Sequence, residues 1–202
     1  MSLTENRKSK FKNVAGSRQF DLTVVLENVH DSHNIGAVMR TCDAVGIGEL
    51  FVLNTDDRLK DKEQYLGKAS ASGTKKWIEI HYYENAEECF SQVKRKYSNI
   101  YGTHLSGKSI SLFDLDLSLS CALVFGNEHD GISHKTLSYL DGNFVIPQFG
   151  MVQSLNISVA CAVTLYEACR QRLISGKYET ANKSKGEALE LYKKYLKIDK
   201  RY

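Results

Sequence analysis

The 202-residue chain has little proline, little tryptophan and no apolar run that approaches the roughly 20 residues needed to cross a bilayer. Its first twenty residues are basic and polar, and they contain no apolar segment that could serve as a signal peptide. These absences argue against membrane and secreted proteins, so we predict a cytoplasmic one. The remaining composition, 42% hydrophobic and 25% charged, is typical of a globular domain.

The cysteine and histidine patterns argue against a disulfide framework and a metal centre. The chain has five cysteines, an odd number, and none of them lies in a Cys-x-x-Cys pair. The six histidines lack the His-x-x-x-His and mixed Cys/His spacings of common metal sites. We therefore predict no metal, and we expect core thiols at Cys42, Cys89, Cys121, Cys161 and Cys169.

Two motifs that identify common α/β enzymes are missing as well. No Gly-x-Gly-x-x-Gly follows the first predicted strand, so a dinucleotide-binding fold of the usual kind is disfavoured. The chain also lacks the Gly-x-Ser-x-Gly of common hydrolases. If the chain binds a ligand, it uses other loops.

The net charge of +3 conceals an uneven distribution. Residues 1–18 carry five basic residues against one acidic residue, and residues 170–202 carry ten against four, so the body between them is acidic. Two basic ends suggest arms for a polyanion such as nucleic acid, although terminal lysines also serve solubility alone. The candidate RNA-binding residues are Arg7, Lys8, Lys10, Lys12, Arg18, Lys193, Lys194 and Lys197.

Apolar runs and helical periodicities alternate along the chain. The predicted strands are 22–26, 49–54, 75–82, 99–104, 120–125 and 143–146, and the predicted helices follow residue 36 or lie within 56–70, 85–97, 133–140, 154–174 and 187–200. This alternation predicts an α/β fold, a mostly parallel sheet with helices on both faces. We predict one domain over residues 1–175 with a basic extension at 1–18, followed by a linker and a basic C-terminal helix at 176–202.

Three of the predicted strands lead into polar loops, at residues 34–40, 126–133 and 146–156. Ligands of parallel sheets lie beyond the carboxyl ends of the strands, so the three loops are predicted to share one rim. Asn34 is expected at or near a helix N-cap, and Arg40 lies one to two turns further along, where its guanidinium could reach a phosphate.

The side chains of these loops have ordinary interpretations too. Gly126 and Gly131 would let the backbone approach a ligand closely, but Glu128 between them could be a solvated turn residue. Ser154 and Asn156 could simply cap the helix that follows, a role that is compatible with ligand binding.

In order, spacing and position after strands, the three loops resemble the signature motifs of the TrmH/SpoU branch of the SPOUT RNA methyltransferases. The matching segments are Asn34-x-Gly36-Ala37-x-x-Arg40, Gly126-x-Glu128-x-x-Gly131, and Ile146-Pro147 through Ser154-Leu155-Asn156-x-Ser158-x-Ala160. Within the branch, residues 27–30, 40–46 and 150–156 resemble tRNA 2′-O-methyltransferases that modify a D-loop guanosine. Gly36 departs from that subgroup, which often has serine there.

The resemblance implies an S-adenosyl-L-methionine-dependent enzyme that methylates a ribose 2′-hydroxyl of tRNA, with guanosine 18 of the D-loop as the expected target. It also implies a C-terminal trefoil knot, and a homodimer with the active site near its interface. By the same resemblance, the catalytic residues are Asn34, Arg40, Glu128 and Asn156, and the methyl donor is held by Thr103, Leu105, Gly126, Ile146, Ser154 and Leu155.

We expect Arg40 to act on the RNA rather than as a base, because a guanidinium stays protonated near neutral pH. In this hypothesis Arg40 binds the phosphate beside the target ribose and stabilises charge as the hydroxyl loses its proton, while Asn34 and Glu128 orient Arg40 and the ribose. Ribosomal RNA and the tRNA anticodon loop are alternative targets. A non-catalytic RNA-binding module and an α/β protein for an unrelated nucleotide are alternatives of other classes.

Overall fold

The computed structural model describes residues 3–59, 73, 76–179 and 186–198. Seven strands and six α-helices alternate in this part of the chain. The strands are β1 (Leu22–Glu27), β2 (Glu49–Leu53), β3 (Glu79–Tyr83), β4 (Asn99–Thr103), β5 (Ile110–Ser111), β6 (Cys121–Phe125) and β7 (Gly142–Val145). The helices are α1 (Glu5–Ser17), α2 (Ser32–Ala44), α3 (Ala86–Lys96), α4 (His134–Leu137), α5 (Ile157–Ile174) and α6 (Glu187–Ile198).

The strands form one parallel sheet in the order β3-β2-β1-β6-β4-β7-β5. Within it, Leu26 of β1 pairs with Val52 of β2 on one side and with Phe125 of β6 on the other. The predicted α/β class is thereby confirmed. The sequence did not predict β5, because two residues are too few to produce a strand pattern.

Helices cover both faces of the sheet. The side chains of a strand alternate between the two faces, so an inner strand that is apolar throughout needs a covering layer on each face. On one face, Val24 and Leu26 join a core with residues of α2 and α5. On the other face, Val25 joins a second core with residues of α3. β1 is buried along its whole length. This burial on both faces explains why β1 has a continuous apolar sequence, as inner strands of parallel sheets usually do.

The predicted core thiols are mostly in the core. Cys42, Cys89, Cys121 and Cys161 are buried, and Cys169 is half-buried. Burial raises the pKa of the Cys42 and Cys89 thiols to about 12, so both stay protonated at neutral pH. A protonated buried thiol is not a nucleophile.

Helix boundaries differ from the prediction where capping side chains decide them. α2 begins at Ser32 because the carboxylate of Asp31 accepts from the His33 backbone N–H at 2.8 Å, so Asp31 and not Asn34 is its N-cap. α5 begins at Ile157, after its predicted cap Asn156, whose side chain accepts from the Ser158 backbone N–H at 2.9 Å.

Some predicted elements lie outside the described residues. The predicted helix within 56–70 is described only as a short 3₁₀ turn, Asp57–Leu59, and most of the predicted linker is not described. In the part of the chain that is described, no helix is both long and apolar enough to span a membrane.

The two basic ends of the chain meet in one helical pair. Phe11 and Ala15 of α1 pack against Tyr195 of α6, with Trp77 beside them. This pair lies at the amino ends of β2 and β3, because Lys194 of α6 is paired with the first residue of β3.

The prediction that Arg18 contacts RNA is wrong, because its side chain is buried inside the protein. Its side chain is 1% exposed and donates to the Asp43 carboxylate at 2.6 Å, the Ile47 carbonyl at 2.8 Å and the Tyr195 hydroxyl at 3.0 Å. A buried charge must be paired, and Arg18 is paired within the protein. Its role is to join α1, α2 and α6.

A half-buried carboxylate at the start of β2, Glu49, makes stability depend on pH. Burial alone would raise the pKa of the Glu49 carboxyl, but hydrogen bonds from His81, Lys96 and Tyr97 lower it to about 2. An unfolded glutamate has a pKa near 4.3, so the contribution is present above that pH and is lost as pH falls toward 2. The difference is worth about 3 kcal/mol.

We therefore expect the free energy of unfolding, measured with urea, to fall between pH 6 and pH 3 by more than it does in Glu49→Gln. The variant keeps a side chain of the same size but has no carboxylate to protonate. Equal losses in both proteins would contradict the assignment.

Candidate active site

One cavity lies at the carboxyl edge of β4, β6 and β7, where the second and third polar loops meet the residues that follow β4. The first polar loop does not line this cavity but joins the same rim through the hydrogen bonds of Asn34 to Glu128 and Asn156. The volume of the cavity is about 840 Å³. All six residues predicted to hold the methyl donor line it, namely Thr103, Leu105, Gly126, Ile146, Ser154 and Leu155. The expectation that the loops share one rim is confirmed, because parallel strands bring the ends of distant segments to the same edge.

The second loop, residues 126–133, is a tight turn with glycine at both ends. Asn127 and Gly131 exchange backbone hydrogen bonds of 3.1 Å in both directions. Gly131 has a φ of +67°, a left-handed conformation that favours glycine. A Cβ at Gly126 would overlap the carbonyl group of Gly131. Gly126 is therefore required by close packing, and Gly131 is favoured by its backbone conformation.

One hydrogen-bonded set connects the three loops. Asn34 of α2 donates from Nδ2 to the Glu128 carboxylate at 2.6 Å, and its Oδ1 accepts from Asn156 Nδ2 at 3.2 Å. Asn156 in turn accepts from the backbone and hydroxyl of Ser158 at 2.9 and 2.6 Å. Three predicted catalytic side chains from distant parts of the sequence thus meet beside the cavity. We call Asn34, Glu128 and Asn156 the polar triad.

Arg40 lies on α2 six residues after Asn34, which corresponds to about 9 Å along the helix axis. Its side chain is exposed. Arg40 is not among the described residues that line the cavity.

Several residues that line the cavity were not among the six predicted to hold the methyl donor. They are His104, Asn127, Gln148, Val152, Gln153, Ile157 and Ala160. Each of them lies inside a predicted loop or motif or between two predicted residues, so treating each segment as continuous would have included them. The described residues contain no group of three or more His, Cys, Asp or Glu side chains that could hold a metal ion.

Comparisons with known proteins identify relatives that span almost the whole chain. Residues 21–166 match the SpoU rRNA Methylase family. The tRNA (guanosine(18)-2'-O)-methyltransferase of Thermus thermophilus is 39% identical over 193 residues, which cover 96% of this chain and 95% of that protein. The protein of the same name from Escherichia coli is 33% identical, covering 92% of this chain and 79% of that protein.

Solved structures show the same fold. The Aquifex aeolicus TrmH/SpoU tRNA modifying enzyme aligns with a TM-score of 0.81 and 35% identity over 96% of this chain and 97% of that chain. AviRb of Streptomyces viridochromogenes, solved in complex with AdoMet, aligns with a TM-score of 0.68 and 27% identity over 77% of this chain and 59% of that chain. The match over residues 21–166 and the relatives that span nearly the whole chain show that the chain belongs to the SpoU methylase family.

Proposed function

We propose that this chain transfers a methyl group from S-adenosylmethionine to the ribose 2′-hydroxyl of guanosine 18 in tRNA. The observation that carries the proposal is the polar triad beside a cavity lined by all six expected donor-binding residues. The choice of nucleotide is supported by the Thermus thermophilus and Escherichia coli relatives, whose names specify that reaction and most of whose length this chain covers.

The cavity suits the methyl donor in size and in lining. Small-molecule sites usually measure about 300–1,000 Å³, and this cavity measures about 840 Å³. Leu105, Ile146 and Leu155 provide apolar walls, and Gly126 and Gly131 of the second loop also line the cavity. Adenosylmethionine, when bound, supplies a methyl group activated by a positively charged sulfur.

The protein's own contribution is chiefly positioning, because methyl transfer requires the hydroxyl oxygen to lie nearly in line with the methyl carbon and the sulfur. Glu128 and Asn156 hold the Asn34 amide from both sides, so it is already oriented at the edge of the cavity. Arg40 binds the phosphate next to the target ribose and stabilises charge as the hydroxyl passes its proton to that phosphate or to water.

Ribosomal RNA is the second candidate substrate. The 23S rRNA (guanosine-2'-O-)-methyltransferase RlmB of Acinetobacter baylyi is 36% identical over 75% of this chain, but the match covers only 60% of that protein. The match to the Thermus thermophilus relative named for tRNA covers 95% of that protein, which favours tRNA.

The proposal is tested by incubating the protein with labelled adenosylmethionine and unmodified tRNA, followed by mapping of the labelled nucleotide. We expect label at guanosine 18, and none when that position carries 2′-deoxyguanosine. Label in the anticodon loop, or in ribosomal RNA alone, would replace the target. Binding of adenosylmethionine without transfer would favour a non-catalytic RNA-binding module, and no binding would reject the cofactor.

We further propose that the protein is a homodimer. One side of α5 presents Val159, Val163 and Tyr166, which are 46%, 37% and 58% exposed, and the third loop adds Phe149 and Met151, each 99% exposed. Exposed apolar groups at this density mark an interface, and these lie next to the cavity.

The interface is tested by Tyr166→Glu, which would bury a charge in it. We expect the wild type to sediment as a dimer and the variant as a monomer with its fold intact, because the site is exposed in one chain. Leu189→Glu on α6, another exposed apolar position, is the matched control and should remain dimeric. A monomeric wild type would contradict the proposal.

For RNA docking we propose the basic residues of α1 and α6 other than Arg18. Arg7, Lys10, Lys12, Lys193, Lys194 and Lys197 are exposed, and Lys8 is half-buried. Since α1 and α6 pack together, the two arms act as one basic unit that contacts tRNA through phosphates.

We expect the double variant Lys12→Ala/Lys197→Ala to bind tRNA more weakly and to reduce the slope of log affinity against log salt by about 2, one for each lost phosphate contact. Binding titrations between low and moderate salt measure this slope. Lys94→Ala on α3 is the control for a lost lysine elsewhere and should leave the slope unchanged. An unchanged slope in the double variant would contradict this docking surface.

Three remaining features belong to the proposal as well. A cytoplasmic location follows from tRNA as the substrate. A trefoil knot in the C-terminal part is supported by the sheet order, in which β7 lies between β4 and the earlier strand β5. A methyltransferase domain over residues 1–175, followed by a linker and α6, is supported by the position of all cavity residues before Ile174.

A further inference from the structure

Glu27, the last residue of β1, is a buried carboxylate that is neither one of the predicted site residues nor a member of the polar triad. It is 1% exposed. Its Oε1 accepts from the hydroxyls of Ser133 and Thr136 at 2.6 and 2.7 Å, and its Oε2 accepts from the Ser133 backbone N–H at 3.0 Å. Burying a carboxylate is unfavourable unless hydrogen bonds replace its water, and here three donors from the start of α4 do so.

These donors belong to the end of the second loop. Ser133 is the N-cap of α4 and closes the turn that carries Glu128. Inside the turn, Asn127 Oδ1 accepts from the backbone N–H groups of His129 and Asp130 at 2.8 and 2.6 Å. The turn is thus internally rigid, and its exit is attached to Glu27. The position of the carboxyl end of β1 therefore determines the position of Glu128.

The residue after Glu27 fixes the other partner of the triad. Asn28 has a φ of +51°, a left-handed conformation that is rare outside glycine, and its Oδ1 accepts from the backbone N–H groups of Thr55 and Asp56 at 2.8 and 3.1 Å. The chain then runs directly into α2 and Asn34. Glu27 thereby positions the loop that carries Glu128, and Asn28 positions the start of the helix that carries Asn34.

We infer that Glu27 is a positioning residue for methyl transfer, which holds Glu128 at hydrogen-bonding distance from Asn34 through Ser133 and Thr136. It acts through the second loop and does not touch the substrate. This inference rests on the proposed function, because only a methyl-transfer assay shows that the position of Glu128 matters.

The test uses Glu27→Gln, which keeps the size of the side chain but turns an NH₂ group toward hydrogen-bond donors. At saturating adenosylmethionine and tRNA we expect kcat to fall about tenfold or more, since small misplacements of reacting groups cost up to about a hundredfold. Thr136→Val, which removes one donor, should lower kcat in the same direction but less. Thr23→Val is the matched control, a buried hydroxyl at the other end of β1, and should leave kcat unchanged.

A double-mutant cycle separates positioning from a merely structural role. In a Glu128→Gln background, with single-turnover transfer of a labelled methyl group to make low rates measurable, Glu27→Gln should cause no further loss. The same fold loss in both backgrounds would overturn the inference.

Hydrogen exchange gives a readout that does not depend on activity. In Glu27→Gln the amides of Asn127 and Gly131, which close the turn, should exchange faster than in the wild type, whereas those of α5 should not change. Unchanged exchange in the turn would overturn the inference. If the turn responds but the wild-type protein transfers no methyl group, the proposed function fails, and the catalytic part of this inference fails with it.

Discussion

Replacing Arg40 by alanine is expected to slow methyl transfer by about 10²–10³-fold, the usual cost of removing one group that stabilises developing charge. Adenosylmethionine binding should be unaffected. Arg40 is exposed on α2, and the described residues that line the cavity do not include it. If Arg40 has its proposed role, the variant loses its contact with the substrate phosphate while the donor site stays intact.

Calorimetry with adenosylmethionine and single-turnover rates with tRNA measure the two effects separately. Arg40→Lys should recover only part of the rate, because an ammonium binds a phosphate as a point charge and lacks the guanidinium fork. Arg95→Ala, at an exposed arginine on α3, is the matched control and should change neither quantity. Unimpaired turnover in Arg40→Ala would exclude the role, and loss of donor binding would reassign Arg40 to the cavity.

The sheet was predictable because its inner strands are covered on both faces. A strand in that position reads as a continuous apolar run, as in β1 and in β6, whose residues are all buried. β5 has two residues and no comparable pattern. Its place beside β7 depends on the path of the chain through the sheet, which local sequence does not encode.

The sequence was enough to predict which loops form the site, but not which side chains form hydrogen bonds with one another. Order and spacing place Asn34, Glu128 and Asn156 at one rim, and the structure brings them together. The expectation that Asn34 and Glu128 orient Arg40 and the ribose stays a prediction, because the contacts described above join them to each other and to Asn156. Asn34 is 94 residues from Glu128 and 122 residues from Asn156 in sequence. Which of these side chains form hydrogen bonds therefore depends on the twist of the sheet and the direction of α2.

Charge counting was wrong where burial decides the role of a residue. Arg18 and Lys12 both contribute to the basic N-terminal segment, yet Lys12 is exposed and Arg18 is buried against Tyr195, 177 residues away in sequence. Arg18 follows the last residue of α1, the point where the chain turns toward β1, and there its side chain reaches the α2 carboxylate of Asp43. A net charge contains no information about which cations face inward.

The largest effect on donor binding is expected from Gly126→Ala. The added Cβ would overlap the carbonyl group of Gly131 and the backbone nitrogen of Ile132. Backbone atoms cannot rotate away as a side chain can, so the turn that forms one wall of the cavity must open. Overpacking of this kind costs about 1–3 kcal/mol. When this cost is borne by donor binding, adenosylmethionine affinity drops by about 5- to 150-fold.

Calorimetric titration of Gly126→Ala measures that loss, and thermal unfolding shows whether the variant is folded at the temperature of the titration. Gly107→Ala is the matched control, because this glycine lies in the loop after β4, has open space where its Cβ would be placed, and should bind the donor normally. Normal binding by a folded Gly126→Ala would mean that the second loop is not a wall of the donor site. The turn that carries Glu128 also lines the cavity beside the triad. Normal binding would therefore mean that adenosylmethionine binds elsewhere and that this cavity holds another ligand.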